Sequence, residues 1–88
     1  MTEIRLTLTN RLGIHARPAA AIAKTASRFQ SAITLHGNGK TIDAKSIIMV
    51  MSMGAKHGHE LTIKADGQDE GECIQALREL VENKFYEE

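Results

Sequence analysis

Ile4-Arg5-Leu6-Thr7-Leu8-Thr9 leads through Asn10-Arg11-Leu12 to Gly13-Ile14-His15-Ala16-Arg17-Pro18-Ala19. The first run alternates, so a strand over about Glu3 to Thr9 places Ile4, Leu6 and Leu8 on one face. Asn10 to Gly13 carries turn residues, and an Ala-rich run with helical spacing begins beyond it. His15 therefore sits where a strand hands over to a helix, and Pro18 suits a first turn because its missing N–H has no intrahelical partner to lose. A helix start gathers unpaired N–H groups and the positive end of the dipole, which together attract anions, phosphate above all. His15 offers a nitrogen nucleophile there, and Arg17 a guanidinium that binds phosphate oxygens bidentately. The stretch reads as a phosphohistidine site. A surface histidine followed by a solvated arginine fits the local pattern too, so a second motif has to separate the two readings.

The chain has 88 residues, which suits a single domain over 1–88 with one modest core. Its formal net charge is zero, and Phe29, Phe85 and Tyr86 are its only aromatics. It has neither the basic field nor the stacking platforms of a nucleic-acid binder. The lone Cys73 excludes an intramolecular disulfide and is expected on the inner side of the last helix as a core thiol. No apolar run is long enough to span a bilayer and Met1-Thr2-Glu3 is unlike a signal peptide, so no membrane association and a cytoplasmic location are expected.

After His15 a helix over about Ala16 to Phe29 buries Ile22, Ala26 and Phe29. Ala32 to His36 and Lys40 to Ala44 form a hairpin about Gly37-Asn38-Gly39, with Ile33, Leu35, Ile42 and Ala44 inward. The apolar residues of Ile47 to Met53 are nearly continuous and fit a strand or a helix. Ser46 as a cap, Gly54 as a stop and the flanking hairpin favour a short helix. Glu60 to Ala65 alternates as a fourth strand. Asp69 and Glu72 resemble a capping box before a last helix over about Glu70 to Lys84. That helix buries Ile74, Leu77, Val81 and Phe85, and the tail Tyr86-Glu87-Glu88 is expected to fray. The order β-α-β-β-α-β-α predicts an α+β fold, one antiparallel sheet with helices on one face.

Ile47, Ile48, Met49, Val50, Met51 and Met53 supply more apolar surface than a two-turn helix can bury beneath itself. Part of it is expected to stay exposed as a docking patch, assigned to Ile47, Ile48, Met51 and Met53. The His15 motif together with Gly39-Lys40, Lys45-Ser46-Ile47-Ile48 and Gly54 resembles the HPr family, the histidine-containing phosphocarriers of the bacterial sugar phosphotransferase system. The resemblance covers the whole chain, in length, element order and motif spacing. It implies an open-faced β-sandwich: a four-stranded antiparallel sheet covered by three helices. It implies that His15 takes a phosphoryl group from Enzyme I and passes it to sugar-specific IIA domains. Arg17 and the amides of Ala16 and Arg17 would bind the phosphate. Ser46 matches a serine modified by HPr kinase/phosphorylase, with a transcription regulator as a further partner in carbon catabolite regulation. The implied molecule is a phosphocarrier rather than an enzyme, working as a monomer without cofactor or metal. Departures are Leu12, where several relatives carry a polar residue, Met49, where a small or charged residue is common, and Met53, where leucine is commoner.

Two rivals stand beside this. One is a mainly regulatory relative, acting through Ser46 phosphorylation or a nitrogen-related phosphorelay with little sugar transport. The other is a metal carrier using His57, His59 and His36, which lacks obvious residues to complete four ligands. A hydrolase is disfavoured, because no carboxylate near His15 in sequence orients it and no nucleophile pairs with it.

Overall fold

A computed structural model describes residues 1–87. Four strands, β1 (Thr2–Thr7), β2 (Ala32–Gly37), β3 (Lys40–Asp43) and β4 (Glu60–Asp66), form one sheet in the order β1-β4-β2-β3. Every neighbouring pair is antiparallel. Helices α1 (Ala16–Ala26), α2 (Ile47–Ser52) and α3 (Glu70–Glu82) cover one face, completing the β-α-β-β-α-β-α order of an open-faced α+β sandwich.

The alternation that marks the strands also decides which face is covered. Ile33 and Leu35 on β2, Ile42 on β3, and Leu61, Ile63 and Ala65 on β4 are buried under the helices. Between them Thr34, Thr62 and Lys64 lie on the partly open side. Asn38 and Gly39 both have positive φ, 49° and 75°, the pairing a two-residue hairpin needs to match strand twist. From α1, Ala19, Ile22, Ala23 and Ala26 enter the core, the small alanines permitting a close approach to α2 and α3. From α3 come Cys73, Ile74, Leu77, Leu80 and Val81. Burial pushes the Cys73 thiol up to about 11, as expected of a core residue and not of a nucleophile.

Four expectations need correcting. Helix α1 ends at Ala26, three residues early, because the backbone tightens there: Arg28 donates to the Thr25 carbonyl and Phe29 to that of Ala26. Phe29 is only partly buried as a result. Asp69 does not act as a capping box, since its carboxylate makes no helix-capping bond. It accepts instead from the amides of Gln30 (2.9 Å) and Ser31 (3.0 Å) and from the Ser31 hydroxyl. These donors, the hydroxyl first, hold its carboxyl below the ordinary value and pin the segment entering β2 to the start of α3. Glu70 makes the local bond, accepting from the Gly67 amide. The Thr2 hydroxyl, that amide and the N-terminal ammonium lower the Glu70 carboxyl from 4.5 to about 2.

Met53 is the third correction. It is fully buried, so it belongs to the core and not to a docking patch. It follows α2 directly, and the Asn38 side chain donates to its carbonyl at 2.8 Å. A Cβ at Gly37 would lie 3.2 Å from Met53 Cε, so the hairpin closes over this side chain. Burying a methionine this completely contributes about 1.5–3 kcal/mol.

The fourth concerns the tail. After α3 the chain does not fray through Tyr86 and Glu87. It turns left-handed at Lys84, Phe85 and Tyr86, with φ of 53°, 57° and 57°. Each such residue costs roughly 1–2 kcal/mol when it is not glycine. Burial of Phe85 offsets part of this, and the turn returns Glu87 to the opposite end of the sequence. Glu88 lies outside the described residues.

Candidate functional site

The loop before α1 is held on three sides. Gly13 N–H donates to the Asn10 carbonyl at 3.2 Å, and Asn10 Nδ2 donates to the Gly13 carbonyl at 2.6 Å. Ile14 N–H donates to the Ala55 carbonyl at 2.9 Å, tying the loop to the segment that leaves α2. Ile14 is buried, which fixes the direction in which its neighbour His15 departs.

His15 is the N-cap of α1 in extended backbone, and its side chain does not cap the helix. The amides of Ala16 and Arg17 therefore have no acceptor in their own helix, and Pro18 has no N–H to offer. Ala16 and Arg17 are exposed. Arg17 makes no ion pair among the described residues, so its guanidinium is available at the same helix start. The His15 ring is about one-third exposed, its side chain at 35%. A nucleophilic nitrogen, two amides without an intrahelical acceptor and a guanidinium are thus supplied by neighbouring residues, a set suited to holding a phosphoryl group on a ring nitrogen.

A carboxylate also meets His15. Glu87 Oε1 lies 2.8 Å from His15 Nε2, and Glu87 Oε2 accepts from Asn10 Nδ2 at 2.9 Å. Sequence reasoning missed this partner because 72 residues separate the pair. Only the left-handed turn after α3 brings it round.

Ser46 lies elsewhere, at the N-cap of α2, where its hydroxyl accepts from the Met49 amide at 3.3 Å. Among the apolar residues that follow, Val50 is buried while Ile47, Ile48, Met49 and Met51 are exposed, Ile48 at 79%. Leu12, in the loop before His15, is exposed as well. Ile47, Ile48, Met49 and Met51 thus form an exposed apolar surface to which Met53 does not belong. His57 and His59 turn toward backbone, His59 Nδ1 accepting from the Lys56 amide at 3.0 Å and His57 Nδ1 lying 3.3 Å from the Asn10 carbonyl. No three His, Cys, Asp or Glu side chains gather to hold a metal ion among the described residues. No helix among them is long and apolar enough to cross a membrane.

Fold and site define a class: an open-faced sandwich that presents a histidine at an uncapped helix start. Residues 2–83 match the family described as PTS HPr component phosphorylation site. The phosphocarrier protein HPr of Xylella fastidiosa strain Temecula1 is 47% identical over 88 residues, covering all of this chain and 99% of that protein. The crystal structure of HPr-C-His from Thermoanaerobacter tengcongensis superposes with a TM-score of 0.94 at 44% identity, over 100% of this chain and 99% of that one. Bacillus subtilis Crh, a catabolite repression protein seen as an intertwined dimer with a swapped domain, aligns at TM-score 0.74 and 36% identity, covering 96% and 97% of the two chains. The chain belongs to the HPr family of phosphocarriers.

Proposed function

We propose that His15 accepts a phosphoryl group from Enzyme I, itself charged by phosphoenolpyruvate, and donates it to sugar-specific IIA domains. The whole chain then acts as one domain, a cytoplasmic monomer consumed and regenerated without being an enzyme in its own right. The observation that carries this is the His15 ring, partly exposed at a helix start with Arg17 unpaired beside it. A phosphate bonded to nitrogen keeps a high transfer potential, so the handover stays reversible. Ile47, Ile48 and Met51, joined by Met49, are the apolar surface on which partners dock. The direct test supplies phosphoenolpyruvate and Enzyme I and asks whether phosphate is incorporated at His15.

Ser46 is the regulatory position of this reading, modified by HPr kinase/phosphorylase, with the modified form addressing a transcription regulator. Its place at a helix start tolerates negative charge, while the docking patch beside it does not. Ser46→Asp keeps an N-cap of equal quality, so stability is expected to stay within about 0.5 kcal/mol of the parent. Transfer from Enzyme I is expected to fall by about tenfold in kcat/KM, because a charge now faces an approaching phosphorylated partner. Stopped-time transfer assays check this, and unchanged kinetics would count against the regulatory role.

A further inference from the structure

Glu87 has a place that the carrier reading does not use. Its side chain is only 9% exposed although it stands near the end of the chain. Both carboxylate oxygens are committed, Oε1 to His15 Nε2 and Oε2 to Asn10 Nδ2. Asn10 is itself buried, and the same Nδ2 binds the Gly13 carbonyl, so the amide that orients the carboxylate belongs to the loop that carries the histidine. The Asn10 Oδ1 atom is buried with no hydrogen-bond partner among the described residues. The amide's orientation is therefore set by what Nδ2 binds. Three consecutive non-glycine residues with positive φ deliver Glu87 to this spot, and such conformations persist where the surroundings over-determine them.

We propose that Glu87 is a positioning residue for phosphoryl transfer, holding the His15 ring with its proton on Nε2 and leaving Nδ1 as the attacking nitrogen. This rests on His15 being the phosphoryl acceptor. A carboxylate only accepts hydrogen bonds, so the 2.8 Å contact requires the Nε2 proton. In the neutral ring the lone pair then lies on Nδ1, which caps nothing. That lone pair forms a bond to phosphorus as the bond from phosphorus to the donor's own atom breaks. The electron pair of the broken bond leaves with the donor. Nε2 keeps its proton throughout, and the positive charge that develops over the ring is met by the Glu87 carboxylate. When the phosphoryl group departs to an acceptor, the pair of electrons returns to Nδ1 and the ring is neutral again.

The test uses full-length protein labelled with 15N, in which long-range proton–nitrogen correlation spectra of the neutral His15 ring read the tautomer directly. The parent is expected to show the Nε2–H form predominating, and Glu87→Ala a mixture with substantial Nδ1–H. Glu87→Gln still presents an acceptor oxygen and is expected to restore the parent tautomer, and it stands in should the alanine variant fail to fold. Phosphoryl transfer from phosphorylated Enzyme I is expected to slow roughly tenfold in kcat for Glu87→Ala with KM little changed, the lower end of what losing a carboxylate that orients a histidine costs in metal sites. An unchanged tautomer in Glu87→Ala would overturn the proposal whatever happens to the rate, and so would an unchanged rate. A parent that takes up no phosphate at all would instead defeat the carrier reading, while the tautomer measurement would still report on the Glu87 contact.

Discussion

Arg17→Ala is expected to slow phosphoryl transfer to His15 by about 10²- to 10³-fold, with the fold intact. Removing one preorganised donor from a site of developing oxyanion charge typically costs that much, about 3–4 kcal/mol in the barrier. Arg17 is exposed in the first turn of α1 and makes no ion pair among the described residues. Deleting it removes no packing from the core, and the thermal midpoint is expected to stay within a few degrees of the parent. Arg17→Lys keeps the charge but loses the planar fork, so it should recover only part of the rate. Rapid-quench measurement of phosphate uptake against phosphorylated Enzyme I distinguishes these outcomes. Parent-like transfer in Arg17→Ala would remove the guanidinium from the site.

Gly13→Ala is expected to be the most damaging single methyl group in the chain. Gly13 has φ of +66°, and an added Cβ would lie 2.5 Å from Lys56 Cα and 2.6 Å from the Ala55 carbonyl oxygen. Both contacts are with backbone, so no side chain can swing away to relieve them. The Ala55 carbonyl is also the acceptor for Ile14, and a shift there moves the residue that directs His15. The left-handed conformation alone costs roughly 1–2 kcal/mol. With the backbone clash added, the loss should reach about 3 kcal/mol, a fall in Tm of the order of 10–20 °C for a domain this small. Gly39→Ala is the control: its φ is +75°, but nothing lies within 4 Å of the added atom. Calorimetry on the two variants separates conformational strain from the clash, and equal losses would show that the close approach at Gly13 is unimportant.

What could be read before the structure was known follows a physical division. Local rules were enough for the strands, whose alternation decides burial, for the Asn38-Gly39 turn, and for Ser46 as a cap followed by Gly54 at φ +66°. The placement of His15 and Arg17 at one helix start was legible because it needs no help from the rest of the fold. Met53 was not, since a helix of six residues has too few turns for periodicity to separate its buried side. Its burial is decided by the hairpin that closes over it. Asp69 has the composition of a capping residue, but Gln30 and Ser31 compete for its carboxylate from 39 and 38 residues away. Glu87 was the hardest to see. Its contact depends on Lys84, Phe85 and Tyr86 adopting a backbone that none of them prefers.

The central claim is that His15 carries a phosphoryl group. Its most direct test is intact mass after incubation of the purified protein with phosphoenolpyruvate and Enzyme I, beside a His15→Ala control. The predicted result is a single acid-labile phosphate on the parent and none on the variant. An unmodified parent in the presence of demonstrably phosphorylated Enzyme I, or an acid-labile phosphate that survives in His15→Ala, would contradict it.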